Sequence, residues 1–108
     1  MVTPARHSLP DVTELTDLGR FLVALGDPTR QRIVLVLSGE TLNVGELSER
    51  FPLSRPAMSH HLKLLAQAGL LRQERRGRER VYRLDVARSR EFVDQLKRFI
   101  STCCAQCC

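Results

Sequence analysis

Residues Leu53–Leu84 read LSRPAMSHHLKLLAQAGLLRQERRGRERVYRL. Ser54 is a good N-cap, and Met58, Leu62 and Leu65 recur at i, i+4 and i+7, so a helix with one buried face is expected as far as Ala68. Gly69 suits the C-cap. Leu71 to Arg75 and Arg80 to Leu84 then form two strand-like runs around Arg76-Gly77-Arg78-Glu79, a hairpin pattern in which Gly77 permits the reversal. Upstream, Val44 to Phe51 reads as a short helix with Leu47 and Phe51 facing inward, broken by Pro52-Leu53. A short helix, a tight turn and a capped second helix make a helix-turn-helix. A basic hairpin directly after it matches a wing lying along a nucleic-acid backbone or minor groove.

Working outward, Leu42-Asn43-Val44 is a short extended piece. Asp27 as N-cap and Pro28 at the first helical position open a helix whose apolar run, Ile33 to Leu37, lacks alternation. That helix is therefore expected to be buried on most sides, ending at Ser38-Gly39-Glu40. Asp11 and Glu14 fit a capping box for a first helix carrying Leu15, Leu18, Phe21, Leu22 and Leu25 on one face and stopped by Gly26. Ser89 is expected to cap a last helix with Phe92, Val93, Leu96, Phe99 and Ile100 on its apolar side. The fold class is mainly α with a small β-hairpin, a winged helix-turn-helix. Residues 1–108 form one domain, with 1–10 expected to be flexible and 101–108 a cysteine-rich tail.

The totals exclude several classes. Of 108 residues, 43% are hydrophobic and 27% charged, the proportions of a soluble globular protein. A chain this short buries a modest core, which favours a partner subunit. No apolar run is long enough to span a membrane, and Met1 to Pro10 has no signal-peptide core, so a cytoplasmic protein with reduced thiols is expected. The formal net charge is +5, and all but Lys63 and Lys97 of the 17 basic residues are arginine, which suits phosphates and base edges. No phosphate-cradling loop or βαβ frame supports an enzyme such as a thiol oxidoreductase. Four Phe and Tyr82 offer few base-stacking platforms for RNA.

With Met58, Leu62 and Leu65 turned inward, Arg55, Ser59, His60 and Lys63 share the opposite face near the helix N-terminus, the end that enters the major groove in this motif. Arg55 suits a guanine; Ser59 and His60 suit a base or a phosphate. A solvated polar face is the plainer alternative. Arg75, Arg76 and Arg78 crowd the hairpin turn, with Arg72, Arg80 and Arg83 on its strands.

Together these motifs resemble the ArsR/SmtB family of metal-responsive repressors. Leu25-Gly26-Asp27-Pro28-Thr29-Arg30 is similar to the LADPTR opening of that family's second helix. LSRPAMSHHLKLL, followed by AQAGLL and RRGRERVYRL, is similar to its recognition helix and wing. The resemblance spans residues 15–100. It implies a homodimer joined through the first and last helices, binding a palindromic double-stranded operator as a repressor relieved by an inducer. By position it carries Ser54, Arg55, Ser59, His60 and Lys63 over as DNA contacts, and Arg75, Arg76 and Arg78 as wing contacts. Pro56 lies near the groove but lacks a donor, and His61 is expected to pack or bond internally.

The family's two common sensing sites are missing. Where its arsenic branch has Cys-Val-Cys, this chain has Asn43-Val44-Gly45; where its zinc branch has a carboxylate and histidines, Asp85 stands but no histidine follows His61. All four cysteines, Cys103, Cys104, Cys107 and Cys108, lie in the last six residues. Counting about 100° per residue from Phe92, Cys103 and Cys107 fall at about 20° and 60°, and Cys104 and Cys108 at about 120° and 160°. A continued helix would thus gather four thiols in one arc beside the apolar stripe. Three close thiolates suit As(III) or Sb(III) as inducer, as in relatives with a cysteine cluster on the last helix. Cd, Zn or Pb sensing, a redox switch through Cys104-x-x-Cys107, and small buried core cysteines are the alternatives.

Overall fold

The computed structural model describes residues 12–107, with side chains from 15 to 105. The chain forms α1 (Val12–Leu25), α2 (Pro28–Leu37), β1 (Leu42–Asn43), α3 (Val44–Arg50), α4 (Arg55–Gln67), β2 (Leu71–Arg76), β3 (Glu79–Leu84) and α5 (Val86–Cys107). The expected capping box of Asp11 and Glu14 lies outside the described side chains. Asp27 caps α2 as expected, its carboxylate accepting the Arg30 backbone N–H at 3.0 Å, with Pro28 at the start of the helix.

The hairpin forms with Gly77 in a left-handed conformation at φ +63°, and β1 adds a third strand that sequence reading left as an isolated extended piece. The antiparallel order is β1-β3-β2, with Leu42 opposite Tyr82 and Leu71 opposite Leu84. Pairing β1 to β3 attaches the wing to the start of α3. Gly69, at φ +86°, turns the chain from α4 into β2, and a Cβ there would meet Phe92 and Arg88 at 3.0 Å.

Ile33, Leu37, Leu47, Met58, Leu62 and Leu65 fill the centre and are essentially inaccessible to solvent. Phe21 of α1 stacks on Phe92 of α5, ring centroids 4.8 Å apart, which joins the first and last helices in one core. Two local expectations are corrected. Within the Ile33–Leu37 run only Ile33 and Leu37, one turn apart, are buried; Leu35 points outward and is 71% exposed. The last helix begins at Val86, not at Ser89, because Asp85 accepts the Arg88 backbone N–H at 3.0 Å and acts as the cap. The Ser89 hydroxyl is instead buried without a hydrogen-bond partner. The expected apolar faces of α1 and α5 are present, and Leu15, Leu22, Val93, Phe99 and Ile100 on them remain 40–51% exposed on the single chain.

Two stability predictions follow from this packing. Leu62→Ala should cost about 2–5 kcal/mol in urea unfolding, whereas Leu35→Ala should change it by less than about 0.5 kcal/mol. The Arg30 N–H, aided by the Arg30 charge and opposed by partial desolvation, holds the Asp27 carboxyl below its ordinary range. Its contribution is therefore complete above the ordinary carboxylate pKa and fades as pH falls through the lowered value. Between about pH 5 and pH 3 the melting temperature should fall less in Asp27→Asn, whose amide still caps the helix, than in the parent.

Candidate nucleic-acid interface

Two caps set the angle of the helix-turn-helix. Asn43 Oδ1 accepts the Glu46 N–H at 2.7 Å while Glu46 Oε1 accepts the Asn43 N–H at 3.0 Å, closing a capping box at the start of α3. Ser54 Oγ accepts the Ala57 N–H at 3.3 Å and starts α4. With Met58, Leu62 and Leu65 locked in the core, helical geometry turns Arg55, Ser59, His60 and Lys63 outward, and all four are exposed. Ser54 is exposed too, its hydroxyl already engaged in the cap. Pro56 lies beside them on the surface.

His61 turns the other way, as expected. It is half-buried, and its Nδ1 lies 3.4 Å from Arg30 Nη1. Arginine can only donate, so Nδ1 is the acceptor and the ring proton sits on Nε2. The same guanidinium donates from Nε to the Ala24 carbonyl at 2.6 Å and from Nη2 to the Val23 carbonyl at 3.2 Å. Gln31 Nε2 donates to the Leu25 carbonyl at 2.8 Å. Arg30 and Gln31 thus satisfy the carbonyls left open at the end of α1 and tie α1, α2 and the recognition helix at one point.

The wing arginines are not equivalent. Arg83 is paired with Glu74 at 2.9 Å, Arg76 approaches the same carboxylate at 3.8 Å, and Arg72 lies 3.6 Å from Asp85. Arg75 donates from Nε to the Gly77 carbonyl at 3.3 Å. Arg78 and Arg80 make no ion pair among the described residues, and neither does Arg55. Arg75 and Arg80 stand directly opposite one another across the hairpin. Facing like charges destabilise an isolated hairpin, so this arrangement favours an anionic partner. Arg55, Arg78 and Arg80 also line one cavity of about 240 Å³ against the start of α3. Arg80 lies on β3, as its place in the strand-like run implies, and the Arg78-Glu79-Arg80 run puts a second arginine just past the turn.

At the other end of the molecule α5 stays helical through Cys107. Cys103 and Cys104 are free and exposed. The side chain of Cys107 and all of Cys108 lie outside the described residues. Among the described residues no three His, Cys, Asp or Glu side chains converge as a metal site. Asp85 is occupied in capping α5 and facing Arg72, and Asn43 in capping α3. The positions that match the family's two common sensing sites therefore do structural work in this chain.

A family model described as a helix-turn-helix domain matches residues 25–74. The chain is 33% identical to the transcriptional repressor SdpR of Bacillus subtilis over 72% of this chain and 87% of that protein. It is 34% identical to the arsenical resistance operon repressor of Staphylococcus xylosus over 74% of this chain and 73% of that one. Among solved structures, an ArsR-like transcriptional regulator from Rhodococcus sp. RHA1 superposes with a TM-score of 0.78 at 29% identity, covering 88% of this chain and 90% of that one. Sequence and fold agree with the winged helix-turn-helix geometry described above, and the chain belongs to the ArsR/SmtB family of helix-turn-helix transcriptional regulators.

Proposed function

We propose that two copies of this single-domain chain form a dimer that represses transcription from a palindromic operator and is released by As(III) or Sb(III) bound to the C-terminal cysteines. The observation that carries the DNA-binding part is the surface formed by the exposed face of α4 and the unneutralised arginines of the wing. In this reading Ser59, His60 and Lys63 meet the major groove, with Ser54 and Arg55 at its edge. Arg75, Arg76 and Arg78 follow the adjacent backbone. Half-sites one helical turn or more apart would match the two-fold axis of the dimer.

The dimer reading rests on Leu15, Leu22, Val93, Phe99 and Ile100, large apolar side chains left on the two helices that Phe21 and Phe92 join. Cys103 continues the line of Leu96 and Phe99 along α5, so a bound metalloid would sit beside that seam. Thiolate donors suit such soft ions. In the sequence Cys103 and Cys107 are four residues apart, the spacing that makes positions on a helix neighbours. Similarity to a repressor of arsenical resistance supports the same inducer. A ligand that prefers one setting of the two wings need supply only a few kcal/mol of coupling to empty the operator. The Cys104-x-x-Cys107 spacing favours a second reading, thiol oxidation as the signal, and a thiolate cluster also admits Cd, Zn or Pb.

Reduced protein on its own promoter DNA should lose affinity on addition of arsenite, and Cys103→Ser or Cys104→Ser should abolish the response. A normal response in both variants sinks the tail site. Release by a disulfide-forming oxidant alone would move the assignment to redox sensing, and release by Cd(II) or Zn(II) without arsenite to a metal. Sedimentation equilibrium should give a dimer, and Leu22→Asp or Phe99→Asp a folded monomer with helical circular dichroism intact.

A further inference from the structure

Gly45, in the first turn of α3, has an ordinary negative φ, so its backbone does not require glycine. What a side chain there would displace is another side chain. A Cβ at position 45 would stand 2.7 Å from Arg55 Nη2 and 3.4 Å from Arg55 Cζ. The Arg55 guanidinium is therefore folded back across the start of α3 instead of extending from α4 into open solvent. There it meets Arg78 of the turn and Arg80 of β3 around the cavity of about 240 Å³. Arg55, Arg78 and Arg80 line this cavity with Glu79 as its one acidic residue, and none of the three arginines forms an ion pair among the described residues.

We propose that this cavity seats one phosphate of the DNA backbone, and that Gly45 is the residue that positions Arg55 within it. The inference rests on the DNA-binding reading above and deepens it. A guanine edge, arginine's usual partner among the bases, is planar and offers two acceptors side by side; arginines gathered from α4 and the wing suit a tetrahedral anion that accepts on every side. Arg55 then reads the backbone, and sequence discrimination falls to Ser59, His60 and Lys63. The recognition helix and the wing grip the same phosphate, which fixes their spacing on the duplex. In this chain the segment that replaces the family's cysteine pair serves the seat: Asn43 caps α3, and Gly45 leaves room for the guanidinium.

The test uses full-length reduced protein and a duplex of arbitrary sequence, because a backbone contact is indifferent to sequence. Affinity is followed by fluorescence anisotropy across a salt series. Arg80→Ala should lower the slope of log K against log salt by about 0.9 and weaken binding about eightfold at 0.1 M salt, the loss of one phosphate contact. Arg80→Lys should keep the slope. Gly45→Ala should weaken binding while its melting temperature stays level or rises, since only the tip of a flexible side chain is displaced and alanine favours the helix. In an Arg55→Ala background the same change should have no further effect. A parent with a steep salt slope that Arg55→Ala and Arg80→Ala leave untouched overturns the seat and spares the DNA-binding reading. A parent whose binding ignores salt overturns both. An equal loss from Gly45→Ala with and without Arg55 removes the positioning role of Gly45.

Discussion

The fold turns on one guanidinium. Arg30 closes the open carbonyls of α1, its own backbone N–H is held by Asp27, and its remaining nitrogen reaches His61 on the recognition helix. An arginine provides five donors in a rigid fork, and few other side chains can serve three elements at once. Remove it, and the Ala24 carbonyl loses its side-chain donor, as does the half-buried His61 imidazole. The junction also has a functional geometry. α1 carries part of the exposed apolar face, α4 carries the outward polar face, and Arg30 lies between them. The contact between them is short, polar and directional.

Electrostatics divides the wing into two kinds of arginine. Arg72, Arg76 and Arg83 face carboxylates from their own sheet or the following loop, so much of their charge is spent within the fold. Exposed pairs of this kind contribute little to stability. Arg78 and Arg80 form no ion pair among the described residues, and together with Arg55 of α4 they line one cavity. An anionic surface gains most from this second group. The molecule measures 59 × 26 × 22 Å, elongated in a way that a 22-residue α5 alone would span over about 33 Å. Its far end carries Phe99, Ile100 and the first two cysteines, all exposed on the single chain. The exposed thiols and the outward face of α4 thus lie on different helices of a small protein.

Most of the fold was legible because its signals are local. Asp27-Pro28, Ser54 and the Met58–Leu62–Leu65 spacing each act within one or two turns, and each holds in the structure. The readings that failed needed information from farther away. Leu35 lies in an apolar run, yet only a neighbour on its side of α2 could bury it, and the single chain has none there. Ser89 is a good capping residue, but Asp85 precedes it and the sheet ends at Leu84, so the helix starts one turn earlier. The pairing of β1 with β3 joins residues some forty positions apart, and a two-residue strand has no pattern of its own to announce it.

By itself the sequence determined the helix-turn-helix, the hairpin wing, the face of α4 that points outward and the crowding of thiols at one end, because capping, periodicity and turn chemistry are properties of neighbouring residues. Only the tertiary structure decided which arginines remain without an ion pair among the described residues, that a Cβ at position 45 would meet the Arg55 guanidinium, and that Arg30 joins three helices. Those depend on distances between segments remote in the chain, which packing sets and composition does not.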